Sequence, residues 1–337
     1  MKPRKTVYIV GAGLSAGIGF PTINNLLSRI WPILPDNHKA DLTEVIRFHN
    51  PDFTPRALAS FPNIEELLSL MQANEQLFYS SRTAIGNFTP EKLTDIRKTL
   101  LLNVATWFHT LQRDALKSPA PWLRTLVERM KEQNATILTF NWDLVLDELL
   151  FKDNLDKSCY GIGNSKNAPT LLKPHGSLNW YEAEIGNYLK AEKRTVLYKK
   201  ENKEILMFKA FRAPRSSKRT YMPLIIPPVY TKEFGNPLFK RLWQKSVTAL
   251  STASEINFLG FSMATADFHA RFILRCGFHN QLEGIIRQDG TRSHPTGQAH
   301  VNIVDPNSDV HSRIIKTVGW SCHSHTGTVE SWVNSTT

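Results

Sequence analysis

Short apolar runs alternate with amphipathic stretches along much of this chain. Residues 6–10 (TVYIV) are β-branched and aromatic, end at a glycine and therefore predict a buried strand. Apolar positions at helical spacing over 237–252 and 266–277 predict helices. This alternation predicts a Rossmann-like α/β fold with a doubly wound parallel sheet. Further strands are predicted at 135–140, 170–174, within 223–228, 256–261 and 300–305.

A long helical block separates the first two predicted strands. Asn63 is positioned to cap one helix, and Thr89, followed by proline, begins another. No strand pattern interrupts residues 36–133, so we interpret this segment as a helical insert. The α/β domain then consists of residues 1–35 and 134–317.

Residues 181–220 depart from the alternation of strands and helices. The apolar runs TVLYKK and ILMFKA flank a polar ENKE segment and predict a β-hairpin. A basic loop follows the hairpin and contains Arg212, Arg215, Lys218 and Arg219.

The tail from residue 318 is polar, and we expect irregular structure there.

The composition is that of an ordinary globular protein. Of the 337 residues, 41% are hydrophobic and 21% are charged, and no uncharged apolar run is long enough to cross a bilayer. The three cysteines, Cys159, Cys276 and Cys322, are far apart and form no CxxC pair. We therefore expect a cytoplasmic protein with neither a disulfide framework nor a structural zinc ribbon.

The chain is basic, with 41 basic and 30 acidic residues and a net charge of +11. Such a charge attracts polyanions, but it is equally compatible with a basic protein that has no polyanionic partner. The sequence carries no helix-turn-helix, zinc-finger or aromatic–basic RNA motif. Nucleic-acid binding through the basic loop therefore stays open as an accessory property.

A glycine-rich segment, residues 11–22 (GAGLSAGIGFPT), follows the first strand. Gly11 and Gly13 permit a tight turn, and a helix predicted over 15–30 would direct its free N–H groups at a phosphate. The spacing of these glycines and Ala16 fits a dinucleotide-binding turn. A strand-to-helix turn without a ligand is the alternative.

Two familiar nucleotide-binding classes are disfavoured. A dehydrogenase needs an acidic residue about 20 positions after the glycines, at the end of a second strand. Asp36 is the nearest candidate, but no strand precedes it. A P-loop protein needs GK[ST] after its glycines, and this sequence has none there.

Polar residues follow the other predicted strands. Asn141 and Asp143 follow the strand at 135–140, and His175 comes just after the strand at 170–174. Because the carboxyl ends of parallel strands form the ligand-binding edge of such a sheet, we expect these side chains to meet. Each has an alternative explanation, since Asp143 can cap a helix and backbone groups can satisfy a histidine. Weaker candidates follow the later strands, namely Gly260, Ser262, Asp267, Asp305 and Asn307.

Together these segments resemble the NAD-binding domain of the sirtuin family. GAGLSAGIGFPT resembles its GAGxS phosphate loop, PHGS its catalytic HG pair, and TFNWD its TQNxD segment, with Phe140 in place of a polar residue. GFS resembles the family's GxS, and the strand ending at Asp305 its last NAD-contacting strand. The motifs occur in the family's order over about residues 6–310 and look closer still to bacterial sirtuin-like domains of anti-phage defence proteins.

One departure from the family separates two activities. Protein-deacylating sirtuins carry a zinc ribbon with two CxxC pairs after the HG pair, whereas the hairpin and basic loop of 181–220 stand there in this sequence. The resemblance therefore implies the NAD-hydrolysing branch, with NAD as substrate and no metal. An NAD-dependent deacylase and a non-catalytic module that senses NAD or ADP-ribose are the alternatives.

The resemblance also implies a role for each matching residue. His175 would be the general base towards a ribose hydroxyl, Asn141 would position the attacking water, and Asp143 would fix the nicotinamide amide. The pyrophosphate would be held by Gly11, Ala12, Gly13 and Ser15. Further NAD contacts would be made by Ala16, Gly19, Gly260, Ser262 and Asp305.

The biological setting implied by the resemblance is NAD depletion during phage infection. Such an activity kills its host unless it is controlled. The resemblance therefore implies a homo-oligomer and a separate defence protein, such as a ring ATPase or an Argonaute-like partner, with no membrane involvement.

Overall fold

Six short strands form a parallel sheet at the centre of the protein. A computed structural model describes residues 5–78, 88–163, 169–184, 195–200, 203–211, 222–226, 236–264 and 267–336. The strands of this sheet are β1 (Thr6–Val10), β2 (Thr136–Thr139), β3 (Thr170–Leu172), β8 (Glu255–Leu259), β9 (His300–Val304) and β10 (His323–His325). Their order is β10-β9-β8-β1-β2-β3, and every neighbouring pair is parallel. This is the α/β class that the alternating pattern predicts.

A second sheet is antiparallel and consists of β4 (Gly176–Glu184), β5 (Thr195–Lys200), β6 (Lys203–Met207) and β7 (Pro223–Ile225). The order of its strands is β5-β6-β4-β7. The predicted hairpin forms two of its strands, and the strand predicted within 223–228 pairs here and not with the main sheet. The basic-loop residues Arg212, Arg215, Lys218 and Arg219 lie outside the described residues.

Helices cover the parallel sheet and make up most of the described residues between β1 and β2. The predicted caps are present: the Asn63 side chain accepts from the Glu65 N–H at 2.8 Å, and Thr89 Oγ1 accepts from the Lys92 N–H at 3.3 Å. The helices are α1 (Ala12–Ala16), α2 (Leu26–Ile30), α3 (Asp36–His49), α4 (Ile64–Phe78), α5 (Pro90–Lys117), α6 (Pro121–Glu132), α7 (Val145–Phe151), α8 (Pro237–Thr252), α9 (Phe268–Glu283), α10 (Ser308–Val318) and α11 (Val329–Ser335).

The prediction of a single helix over residues 15–30 is wrong. The structure has two five-residue helices in this region, α1 and α2, with a turn between them. The N–H groups of Ile18 and Gly19 donate to carbonyls three residues earlier, at 3.1 Å each, which closes α1. The backbone of Gly19 has φ +96°, a left-handed conformation that cannot continue a helix.

The tail from residue 318, which the structure describes to residue 336, forms regular elements, contrary to the expectation of irregular structure. It contributes β10 at one edge of the parallel sheet and then α11. Val329, Trp332 and Val333 are buried, so the tail belongs to the hydrophobic core. The strand itself carries polar side chains and is held by backbone pairing with β9.

Candidate functional site

A cavity of about 620 Å³ lies beyond the carboxyl ends of the parallel strands. It runs across the sheet from the end of β3 to the end of β10, because residues that follow all six strands line it. One residue from each strand end shows its extent: Gly11 after β1, Asn141 after β2, His175 after β3, Gly260 after β8, Asp305 after β9 and Thr328 after β10.

The structure brings together nearly all the residues singled out in the sequence. Gly19 is the exception: it does not line the cavity, and its carbonyl accepts from Arg29 at 3.0 Å. The candidate residues that line the cavity are Gly11, Ala12, Gly13, Ser15, Ala16, Asn141, Asp143, His175, Gly260, Ser262, Asp267, Asp305 and Asn307.

The glycine turn after β1 packs backbone to backbone against the turn after β8. The Gly13 N–H donates to the Gly260 carbonyl at 2.9 Å. A Cβ on Gly13 would lie 2.7 Å from the Gly260 Cα, and a Cβ on Gly260 would lie 2.6 Å from Gly13. Only glycine therefore fits at either position. The Gly13 N–H is engaged by protein, and α1 is a single short turn, so the expected array of free N–H groups for a phosphate is smaller than the sequence suggested.

Asn141 is anchored through its amide nitrogen. Its Nδ2 donates to the Gly11 carbonyl and to Ser15 Oγ, both at 3.0 Å. Ser15 Oγ in turn donates to Asp143 Oδ2 at 2.9 Å, and Asp143 Oδ1 accepts from the Val145 N–H at 3.1 Å. Asp143 thus binds the first N–H of α7, but Leu144 and not Asp143 is the N-cap residue, and no side chain caps this helix. Asp143 also belongs to the network that fixes Asn141.

A buried lysine lies behind this network. Lys173 is fully buried, and its Nζ donates to the Asp143 carbonyl at 2.6 Å and to Asp147 Oδ2 at 3.0 Å. Tyr160 donates a short hydrogen bond to the same Asp147 carboxylate. Burial raises the pKa of Asp143, and the Lys173 cation opposes that rise. The sequence did not predict that Lys173 and Asp147 pair, because no local pattern indicates a contact between two residues 26 positions apart.

His175 lies at the opposite end of the cavity from Asp305. Its Nε2 is 3.2 Å from Oδ2 of Asp267, and both side chains are buried. The Phe140 ring meets the imidazole edge-on with centroids 4.9 Å apart, and the Trp243 ring lies 5.9 Å away. The imidazole therefore has a carboxylate partner and an aromatic wall, an environment suited to a group that exchanges a proton.

Two of these neighbours have a readable signal in the sequence. Asp267 begins a helix, and its Oδ1 accepts from the Ala270 N–H at 3.2 Å, so it carries the pattern of a helix cap. Phe140 occupies the position where the sirtuin motif has a polar residue, and it stacks on Phe261 at 5.0 Å as well as contacting His175. The pairing of Asp267 with His175 itself depends on the tertiary fold.

The glycine after His175 has a structural cause. Gly176 has φ +81°, and a Cβ there would lie 2.0 Å from the Leu224 carbonyl oxygen of β7. The His175 carbonyl accepts from the Ile226 N–H at 2.8 Å. His175 is therefore held where the parallel sheet ends and the antiparallel sheet begins.

Asp305 marks the other end of the cavity. Its Oδ1 accepts from the Asn307 N–H at 2.9 Å, and its carbonyl is 2.7 Å from His311 Nε2. Burial raises the pKa of the Asp305 carboxyl. The chain after β10 completes this end with residues 327–330, which the sequence reasoning left out of the site.

The described residues contain no cluster of three or more His, Cys, Asp or Glu side chains placed to hold a metal ion. None of the described helices has the length and hydropathy needed to span a bilayer.

Comparison with known proteins gives structural likeness only. No protein-family model and no curated protein sequence matches the chain. Solved structures of Sir2 homologues are among those similar to this chain. A Sir2 homologue bound to NAD is 12% identical and covers 99% of this chain and 88% of its own, with a TM-score of 0.48. A mutant Sir2 homologue with 2′-O-acetyl ADP ribose is 11% identical, with coverages of 99% and 90% and a TM-score of 0.48.

Proposed function

We propose that this protein is a sirtuin-like NAD glycohydrolase, which releases nicotinamide from NAD and leaves ADP-ribose. One observation supports this most: Asn141 and His175 line the same cavity as the glycine turn at 11–13. The cavity also reaches Asp305, so it has the elongated form that a dinucleotide needs. We place the pyrophosphate at the glycine turn in the middle of the cavity and one nucleoside towards the polar group at each end.

The proposed reaction needs little chemistry from the protein. The bond between the ribose C1′ and the nicotinamide nitrogen breaks, and the electron pair stays on nitrogen, which loses its positive charge. Water adds its oxygen to C1′ and gives up a proton. The protein has to orient the ribose, stabilise the positive charge that develops on it and admit one water.

Asn141 is the residue we assign to that water. Both hydrogen bonds of its side chain use Nδ2, and among the described residues its Oδ1 accepts none. Since the amide is fixed from one side, the oxygen is left as an acceptor that can hold a water beside the ribose. The Ser15–Asp143 contact supports this orientation from behind.

His175 is the residue we assign to proton transfer at a ribose hydroxyl. The Asp267 carboxylate at 3.2 Å stabilises the imidazole once it is protonated and fixes the orientation of the ring. In this arrangement a third group, the Asp267 carboxylate, orients the base. We assign binding of the nicotinamide amide to Asp143 and binding of the second ribose to Asp305.

The two alternatives make different demands on the chain. A deacylase needs room for an acyl-lysine peptide, and the sequence has no CxxC pair from which to build the zinc ribbon of deacylating sirtuins. A non-catalytic sensor needs the glycine turn but has no use for the His175–Asp267 pair. We therefore prefer hydrolysis of NAD to both.

The deciding experiment incubates purified protein with NAD, without any acylated peptide, and follows free nicotinamide by liquid chromatography. It is run with the protein alone and with the product of the neighbouring gene. We expect nicotinamide in at least one condition and its loss in Asn141→Ala and His175→Ala. His294→Ala, an exposed histidine outside the cavity, is the control for the histidine change.

Each alternative predicts a separate result. Nicotinamide that appears only when an acylated peptide is added favours the deacylase. Bound NAD that stays intact in every condition, with unchanged binding by both alanine variants, favours the sensor. Absence of nicotinamide in every partnered condition contradicts the glycohydrolase.

The wider role that we propose is an abortive-infection effector of anti-phage defence. Its support is the motif resemblance, and the control would come from self-association or from a ring ATPase or Argonaute-like protein. The test is cellular NAD during phage infection, with and without the His175→Ala change. NAD levels that fall equally in both strains would contradict this role.

A further inference from the structure

Arg313 is the one permanent cation among the described residues that line the cavity. It lies on α10 and is partly buried. Carboxylates line the same cavity on five residues: Glu65, Asp143, Asp267, Asp305 and Glu330. A dinucleotide brings several negative charges, and this lining offers them a single guanidinium. The position of Arg313 therefore decides which part of the ligand it can bind.

One face of α10 forms the wall of the cavity beyond β9. Asn307, the N-cap of this helix, Val310 and Arg313 all line the cavity, and they follow one another at intervals of three residues. Side chains on a helix lean towards its N-terminus, so Arg313 extends back towards the end of β9. Asp305 directly follows that strand, and Arg313 thus belongs to the Asp305 end of the cavity.

The guanidinium of Arg313 is not hydrogen-bonded within the part of the chain that the structure describes. Its Nε is buried without an acceptor, and no described carboxylate forms an ion pair with it. Asp305 is nevertheless close: burial raises the pKa of its carboxyl, and the Arg313 charge is among the groups that oppose this rise. Because a partly buried cation is costly without an anion beside it, this end of the cavity is suited to an anionic ligand group.

Two kinds of residue distinguish NAD from NADP in dinucleotide-binding folds. A carboxylate accepts a hydrogen bond from the free 2′-hydroxyl of NAD, whereas an arginine accommodates the 2′-phosphate that NADP carries there. Asp305 is the residue to which we assign the second ribose, and Arg313 lies at the same end of the cavity. The chain therefore has one residue of each kind at this ribose.

We propose that Arg313 binds a 2′-phosphate on the second ribose, so that the cavity accepts NADP as well as NAD. This role rests on the proposed function, since it takes the ligand to be a dinucleotide whose second ribose lies at Asp305. With NAD bound, Asp305 accepts from the 2′-hydroxyl. With NADP bound, the guanidinium donates to the phosphate and Asp305 keeps the 3′-hydroxyl. No bond breaks at this end, so cleavage at the nicotinamide ribose is the same for both substrates.

The pyrophosphate is the other anionic group of a dinucleotide. We assign it to the glycine turn after β1, and in the order of strands β1 is two positions from β9. Neighbouring strands lie about 4.8 Å apart, so the ends of β1 and β9 are separated by about 10 Å. This separation favours the ribose phosphate as the partner of Arg313.

The test compares two ligands that differ only in the 2′-phosphate and need no cleavage to bind, ADP-ribose and 2′-phospho-ADP-ribose. Their affinities for the purified protein are measured by isothermal titration calorimetry. We expect the wild type to bind both with similar affinity. Arg313→Met should weaken binding of 2′-phospho-ADP-ribose by about ten- to a hundredfold, the loss expected for charge-assisted hydrogen bonds, and leave that of ADP-ribose nearly unchanged.

Three further variants control this result. Lys316→Met removes a positive charge from an exposed position of α10 outside the cavity, and both affinities should stay at their wild-type values. Arg313→Lys keeps the charge and should retain more binding of 2′-phospho-ADP-ribose than Arg313→Met does. Asp305→Asn should change the ratio of the two affinities in favour of 2′-phospho-ADP-ribose, because it removes a negative charge beside the phosphate.

The binding of these ligands is separable from the cleavage of NAD. A wild type that does not bind 2′-phospho-ADP-ribose overturns the role of Arg313. Equal weakening of both ligands by Arg313→Met places the guanidinium at the pyrophosphate and overturns it as well. If both ligands bind as expected but free nicotinamide appears from neither NAD nor NADP, the phosphate site stands and the glycohydrolase is contradicted.

Discussion

His175 and Asp267 form a buried pair, with Nε2 and Oδ2 3.2 Å apart, although 92 positions separate them in the chain. One follows the third strand of the parallel sheet, and the other begins helix α9. The same Asp267 carboxylate uses its second oxygen to accept from the first turn of α9. The helix start and the imidazole are therefore held by one side chain.

Asp267→Asn removes the charge of this pair while leaving an oxygen that can still cap α9. We expect kcat for NAD cleavage to fall by about ten- to a hundredfold, within the range for positioned proton transfer. The protonated imidazole loses its counter-ion, so the acid limb of the kcat/KM profile moves to lower pH. A profile that keeps its shape would contradict the assignment, and Asp309→Asn, at an exposed helix start, is the control.

The buried Lys173–Asp147 pair predicts an asymmetric response to mutation. Lys173→Met leaves the Asp147 carboxylate buried without its cation, and we expect the free energy of unfolding to fall by about 3–5 kcal/mol. Lys173→Met combined with Asp147→Asn removes both charges and should recover at least half of that loss. Urea denaturation monitored by tryptophan fluorescence measures both. Equal losses in the single and double variants would show that the charge pair is not the cause.

The contact between the two glycine turns predicts a specific cost at Gly260. Gly260→Ala adds a Cβ 2.6 Å from the Gly13 backbone, at a residue with φ +56°. Gly297→Ala also places alanine at a positive φ, +84°, but nothing lies within 4 Å of its Cβ. We expect Gly260→Ala to lower both thermal stability and NAD affinity, while Gly297→Ala lowers stability only by about 1 kcal/mol. Equal effects of the two would contradict the close contact.

The raised pKa of Asp305 predicts how NAD binding depends on pH. If its carboxylate accepts ribose hydroxyls, it must be ionised to bind well. Because burial raises its pKa, protonation begins at a higher pH than for an exposed aspartate. The KM for NAD should therefore rise on acidification, starting before an exposed aspartate titrates. In Asp305→Asn this dependence should disappear, and a KM that follows the wild-type curve would place the ribose elsewhere.

The elements predicted most accurately are those with strong local signals. β1 and α8 have the predicted ends, since TVYIV stops at glycine and α8 has both a proline in its first turn and an apolar face. β10 was missed because HSH carries no hydrophobic pattern, and backbone pairing with β9 defines it. For α11 a signal exists, because Val329, Trp332 and Val333 have helical spacing and are buried.

In the candidate site, too, features with a local sequence signal were predicted, and those that depend on distant contacts were not. Strand ends are visible in the sequence, so Asn141, Asp143 and His175 could be placed at one edge before their contacts were known. Their partners could not, because Lys173 and Asp267 acquire their roles only through packing between distant segments. The sequence did not predict the break after α1, because residues 15–30 have the pattern of one amphipathic helix. In the structure, the N–H groups of Ile18 and Gly19 donate to carbonyls three residues earlier, and these bonds end the first helix.

The backbone bond from Ile226 to the His175 carbonyl gives the small antiparallel sheet a mechanical connection to the proposed base. A shift of β7 would move the imidazole even though nothing had entered the cavity. An antibody fragment or small molecule that binds the outer surface of that sheet would then alter turnover without competing with the dinucleotide.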